Sequence, residues 1–133
     1  MMETQQLDLL ADARPVPAAE CVENHAGVFD EPSEVIEMDR GNVRASICLA
    51  YADGGYWWAH DASWPTGGHG FLPNRNWKRK FAYSRAVAIA DAAQDLARVV
   101  ERSIKKDSCR RQILRWLDAL HRGEMPEAGE DAA

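Results

Sequence analysis

The chain has 133 residues, 46% of them hydrophobic, and a formal net charge of −5. That length gives one domain with tails, no apolar run reaches the ~18 residues of a membrane span, and the acidic balance weighs against strong non-specific DNA binding. Three cysteines, Cys21, Cys48 and Cys109, are odd in number and widely spaced, which fits neither a disulfide framework nor a CxxC metal clip. Free thiols are expected. The start, MMETQQLDLLADARP, has no basic n-region and no long apolar h-region. A secretory signal is therefore not expected, and the chain reads as cytoplasmic.

Charge is distributed unevenly. Residues 1–70 hold three Lys/Arg against twelve Asp/Glu, and residues 71–122 hold thirteen against five. Residues 123–133 add four acids and no base. A basic half between acidic ends suits a nucleic-acid surface, an acidic arm folded over the basic half, or two solvated faces.

Residues 1–34 carry Pro15, Pro17, Pro32 and eight acids without a sustained period. Such a stretch buries too little apolar surface to offset the entropy of ordering it, so a flexible arm is expected. Residues 35–39 make a short edge strand, and Arg40-Gly41-Asn42 is a turn. Val43, Ala45, Ile47, Leu49 and Tyr51 alternate with Arg44, Ser46, Cys48 and Ala50, the period of a half-buried strand. Asp53-Gly54 is a strong hairpin signal, since both residues tolerate positive φ, and Tyr56–Asp61 should return antiparallel.

Residues 54–83 contain four of the five tryptophans and five of the nine glycines. Within them, residues 62–76 read as a loop and residues 77–83 (WKRKFAY) as a further strand. Ser84 is a good N-cap. After it, Ala86, Ile89, Ala93, Leu96, Val100 and Ile104 form a helical apolar stripe, with Asp91, Asp95, Arg98 and Arg102 largely on the wet side. Asp107 or Ser108 can cap a second helix with Cys109, Ile113, Trp116, Leu117 and Leu120 on its apolar face, and Gly123 is a plausible stop. Strands followed by helices define an α+β domain. We expect a small antiparallel sheet of three to four strands and two helices packed on one face. The domain should span residues 35–123, between a flexible acidic arm (1–34) and a disordered acidic tail (124–133).

Few residues suggest chemistry. Thr66-Gly67-Gly68-His69-Gly70 is neither a phosphate loop nor a dinucleotide fingerprint: Phe71 stands where Lys would follow, and Pro73 precludes an opening helix. His60, Asp61 and His69 could converge across that loop, with His25 joining them, but their spacing matches no zinc site. No Ser/His/Asp or Cys/His order and no paired carboxylates stand out. An enzyme is not expected, nor a metal or other cofactor. The cations Arg75, Lys78, Arg79, Lys80, Arg110, Arg111 and Arg115, interleaved with Trp77 and Phe81, are candidate nucleic-acid contacts: Lys/Arg neutralise phosphates and aromatics stack on bases. The alternative is solvated charge around core aromatics.

One short segment is more specific. Gln6-Leu7-Asp8-Leu9-Leu10 resembles the peptide by which bacterial polymerases, repair proteins and some plasmid or phage proteins bind the sliding clamp, Gln-Leu-(Ser/Asp)-Leu-(Phe/Leu). The Gln hydrogen-bonds at a pocket rim, and the closing apolar pair fills a hydrophobic slot, as linear motifs do. The run from Ile47 to Leu96 also resembles, in texture, small α+β modules of plasmid, phage and integrated-element proteins of Gram-negative bacteria. These resemblances imply a non-enzymatic adaptor of a mobile element or DNA-maintenance system. It would bind the clamp through residues 6–10, and DNA or a protein through its basic face. The alternative is a phage-type inhibitor of a host defence complex, of the anti-CRISPR or anti-restriction class, acting by protein–protein contact. No membrane partner is expected.

Overall fold

The computed structural model describes residues 17, 19–105 and 107–124. Its organising element is a long antiparallel hairpin. Strand β2 (Arg44–Ala52) pairs with β3 (Gly55–Trp64) from Arg44↔Ser63 to Ala52↔Gly55. Asp53 (φ 59°) and Gly54 (φ 75°) make the two-residue turn, both in the left-handed region that a type I′ hairpin requires. Strand β1 (Glu34–Asp39) lies along the other side of β2. Two short strands share the free edge of β3: β4 (Gly67–Gly70) pairs with its end and β5 (Phe81–Ala82) with its beginning.

Two helices follow, α1 (Arg85–Ser103) and α2 (Ser108–His121). The side chains of Ser84 and Asp107 accept hydrogen bonds from Val87 N and Arg110 N, capping each helix at its start. Helix α1 lies on β2, β3 and β5, and α2 packs along α1. Ile47, Leu49, Leu96, Val100, Ile113, Leu117 and Leu120 are buried in the shared core. A forked ion pair ties the helix layer to the sheet. Arg85 Nε and Nη2 donate to Glu34 Oε1 and Oε2 at 2.8 and 2.6 Å, with the Arg85 side chain only 6% exposed. The fold is thus α+β, an antiparallel sheet followed by two helices, as the order of patterns implies.

Three boundaries differ from expectation. The expected loop 62–76 is partly strand: β3 runs on to Trp64, and the glycine run pairs back on it as β4. A Cβ on Gly70 would meet the Asp61 Cβ at 2.7 Å, so glycine here answers to close strand approach. The expected strand 77–83 shrinks to Phe81–Ala82, because Trp77–Lys80 closes a turn in which Lys80 N bonds Trp77 O.

The third difference is the largest. The arm does not extend to residue 34: Cys21 N bonds Tyr51 O, Phe29 N bonds Pro73 O, and Ser33 N bonds Leu49 O. This segment closes the second face of the sheet, where Phe29 is wholly buried with Ala50, Ala52 and Trp57. Alternation assigned that face to solvent, yet Ser46, Cys48 and Ala50 are all buried. Phe29→Ala should therefore cost about 3–5 kcal/mol of stability, the range for a buried phenylalanine. Urea denaturation measures it, and a loss below about 0.5 kcal/mol would mean that this segment does not seal a core.

Candidate functional site

Alternation along β3 turns Tyr56, Trp58, His60 and Ala62 towards the helices. Trp57 lies on the opposite face. A histidine on such a face needs partners, since a buried imidazole without them loses its hydrogen bonds to water. His60 is 0% exposed and has two. Its Nε2 lies 2.8 Å from Asp95 Oδ2 on α1, and its Nδ1 lies 3.2 Å from His69 Nε2 on β4. Asp95 accepts, so Nε2 carries the proton and Nδ1 accepts from His69. Lys80 Nζ donates to the same Asp95 oxygen at 3.1 Å and sits 4.8 Å above the Trp58 ring. Phe71 meets His60 edge-on at 4.6 Å, and Trp77 packs on Phe71.

Burial pushes the His60 imidazole below its ordinary value, against the opposing pull of Asp95. Burial alone would raise the Asp95 carboxyl, but hydrogen bonds from His60 and Lys80 outweigh that effect and hold it below the usual carboxylate range. The chain His69–His60–Asp95–Lys80 thus links β4, β3, α1 and the turn before β5. Beside it, a cleft of about 390 Å³ opens between that turn and α1. Three cations, Arg79, Lys80 and Arg98, face two acids, Asp91 and Asp95, across it. Trp58 lines the same cleft, and its buried indole N–H has no partner among the described residues.

The histidine set therefore assembles only in part. His60 and His69 meet, but Asp61 is on the other face, where it accepts from Ser46 Oγ at 2.8 Å. His25 is exposed in the turn at Asn24–Gly27, in the segment that covers that other face. Among the described residues no group of three or more His, Cys, Asp or Glu is disposed to hold a metal. Asp95, placed on the wet side by helical period, belongs to this cluster. The signal that could have found it is His60 itself, a titratable group in the middle of an apolar strand face. All three cysteines are free thiols, and burial, with Asp61 nearby, pushes Cys48 up and away from thiolate character.

The candidate nucleic-acid residues separate into two groups. Arg75, Lys78, Arg79 and Lys80 lie together before β5, whereas Arg110, Arg111 and Arg115 are on α2. Arg111 and Arg115 are exposed and Arg110 is half-buried. Arg75 is held by Glu23 at 2.5 Å and by Asp53 at 3.1 Å, and Lys80 by Asp95. Lys78 and Arg79 are exposed and have no ion pair among the described residues. Gln6, Leu7, Asp8, Leu9 and Leu10 lie outside the described residues. No described helix is long and apolar enough to cross a membrane. Comparison with family models, with curated proteins and with solved structures returned no match.

The buried pair makes stability pH-dependent. The unfolded chain takes up the His60 proton at about 6.5, while the folded chain resists it to lower pH. This contribution is fully present above about pH 6.5 and drains as pH falls through the folded value. That of Asp95 is present above its unfolded value of about 3.8 and is lost only at more acid pH. Urea midpoints should fall as pH drops below about 6.5, and His60→Gln should flatten that fall while costing about 1–3 kcal/mol at neutral pH. An unchanged pH slope in the variant would contradict this account.

Proposed function

We propose that the chain is a non-enzymatic adaptor or accessory protein of a bacterial mobile element or DNA-maintenance system. It docks on the sliding clamp through Gln6–Leu10 and meets nucleic acid or a further protein through its basic face. One observation carries the reading: Gln6-Leu7-Asp8-Leu9-Leu10 is compatible with the clamp peptide at every position. Its placement supports it. Ten residues separate Leu10 from Cys21, the first described residue bonded to the sheet. Fully extended, they reach at most about 35 Å, enough for a peptide to enter a partner's pocket while the domain stays outside.

A second reading, an inhibitor that covers a host defence complex by protein–protein contact, draws on the start of α1. Tyr83 and Val87 are 80% and 49% exposed there, and large exposed apolar side chains often mark contact surfaces. Deleting residues 1–14 separates the two, since lost activity favours the clamp and retained activity favours the inhibitor. In calorimetric titration with purified bacterial clamp, the double variant Leu9→Ala/Leu10→Ala should bind at least about tenfold more weakly than wild type, about 1.4 kcal/mol. Indistinguishable binding by the two would sink the adaptor reading.

A further inference from the structure

On the face of the sheet opposite the helices, a cleft of about 420 Å³ is lined by Asp53, Trp57, Arg75, Lys78, Phe81 and Tyr83. Its rings step outward from core to solvent. Trp57 is buried against Phe29, Phe81 meets Trp57 at 4.7 Å, and Tyr83 meets Phe81 edge-on at 5.0 Å. Tyr83 ends the series 80% exposed. The charges around these rings are unequal in availability. Asp53 is occupied by the Trp57 indole N–H at 3.0 Å and by Arg75 at 3.1 Å. Arg75 is further occupied by Glu23. The acid of the cleft is thereby neutralised, and Lys78 remains as its free cation among the described residues. Exposed Arg79, next in the chain, lines the helix-side cleft, so the two cations stand on either side of one turn.

We propose that this cleft and the Lys78–Arg79 turn form a site for single-stranded nucleic acid. A base stacks on Tyr83, a neighbouring phosphate lies on Lys78, and the strand continues over the turn so that a further phosphate meets Arg79. The inference rests on the reading that the basic face meets nucleic acid, and it specifies which form. A base inside a duplex already has both faces stacked and has none to offer Tyr83. A duplex contact also needs a row of cations, and a chain of net charge −5 with two free cations on this turn supplies few. Aromatic stacking is tolerant of sequence and depends little on total charge, so it suits a small site on an acidic protein.

The test is fluorescence anisotropy of the full chain with labelled DNA and RNA strands of about 12 nucleotides, and with the matching duplex, over a salt series. Single strands should bind at least about tenfold tighter than duplex, with a log–log salt slope of about −1.5 to −2, the value for two or three phosphates. Tyr83→Ala should weaken binding by about 5- to 150-fold and leave the slope unchanged, while Tyr83→Phe restores affinity. Lys78→Ala/Arg79→Ala should instead reduce the slope by about 1.4. Circular dichroism melts confirm folding, which exposed Tyr83 is not expected to support. Equal binding to duplex, or an unaffected Tyr83→Ala variant, overturns the single-strand site and leaves the broader nucleic-acid reading standing. Binding to neither form removes both, and the clamp titration then stands alone.

Discussion

Strand β3 must be covered twice. Its residues from Gly55 to His60 are buried without interruption, so neither side of this part of the sheet meets water. One side receives α1 and, through α1, α2. The other receives the segment from Cys21 to Ser33, with Phe29 as its plug. The rest of the domain follows from this demand. Five strands with a helix layer alone would leave Ala50, Ala52 and Trp57 exposed as an apolar patch beside an open hairpin. Such patches on a monomer tend to recruit other chains. The N-terminal segment removes that hazard with few residues, and it also fixes Arg75 through Glu23.

Features governed by local chemistry were legible in the sequence. Asp53-Gly54 specified its turn, because few residue pairs accept two positive φ values in succession. Ser84 and Asp107 marked the helix starts through the reach of a short acceptor side chain. Features governed by tertiary contact were not. Residues 21–33 have no period because they cross the sheet as an irregular strap, anchored to distant parts of the chain at Cys21, Phe29 and Ser33 and turning on local bonds around Asn24. The glycines of β4 read as a loop because their role is to let β3 approach. Alternation in β2 distinguished two faces correctly but could not tell a second buried face from a wet one, since Ser46, Cys48 and Ala50 are small enough to be either. In the candidate site, the basic residues were visible, while their availability was not: Arg75 and Lys80 have acidic partners distant in sequence, Glu23 and Asp95.

That pairing determines the electrostatic character of the domain more than the count of charges does. Inside, His60 is neutral and shares Asp95 with Lys80, so the acid beneath the helix layer is compensated where it lies. The Arg85–Glu34 fork does the same at the sheet's far edge, and a pair this buried is costly to break by removing one partner. Compensation of this kind organises position rather than adding much net stability. It holds β4, the Trp77–Lys80 turn and α1 in one arrangement, and it leaves Lys78 and Arg79 as the exposed cations of that turn.

The backbone bond from Cys21 to Tyr51 also fixes Cys21 at the hairpin end of the sheet. Cys21 packs against the cluster of Phe29, Ala50, Ala52 and Trp57, on the face away from the helices. Under the clamp reading proposed above, a partner bound at residues 6–10 would be joined to that point through the ten residues between Leu10 and Cys21. A short covalent link between two contacts raises the effective concentration of one near the other, into the millimolar range where the link is flexible. Two contacts, each too weak to persist alone, would then hold together as one, and the helix layer on the far side would remain open to a third molecule.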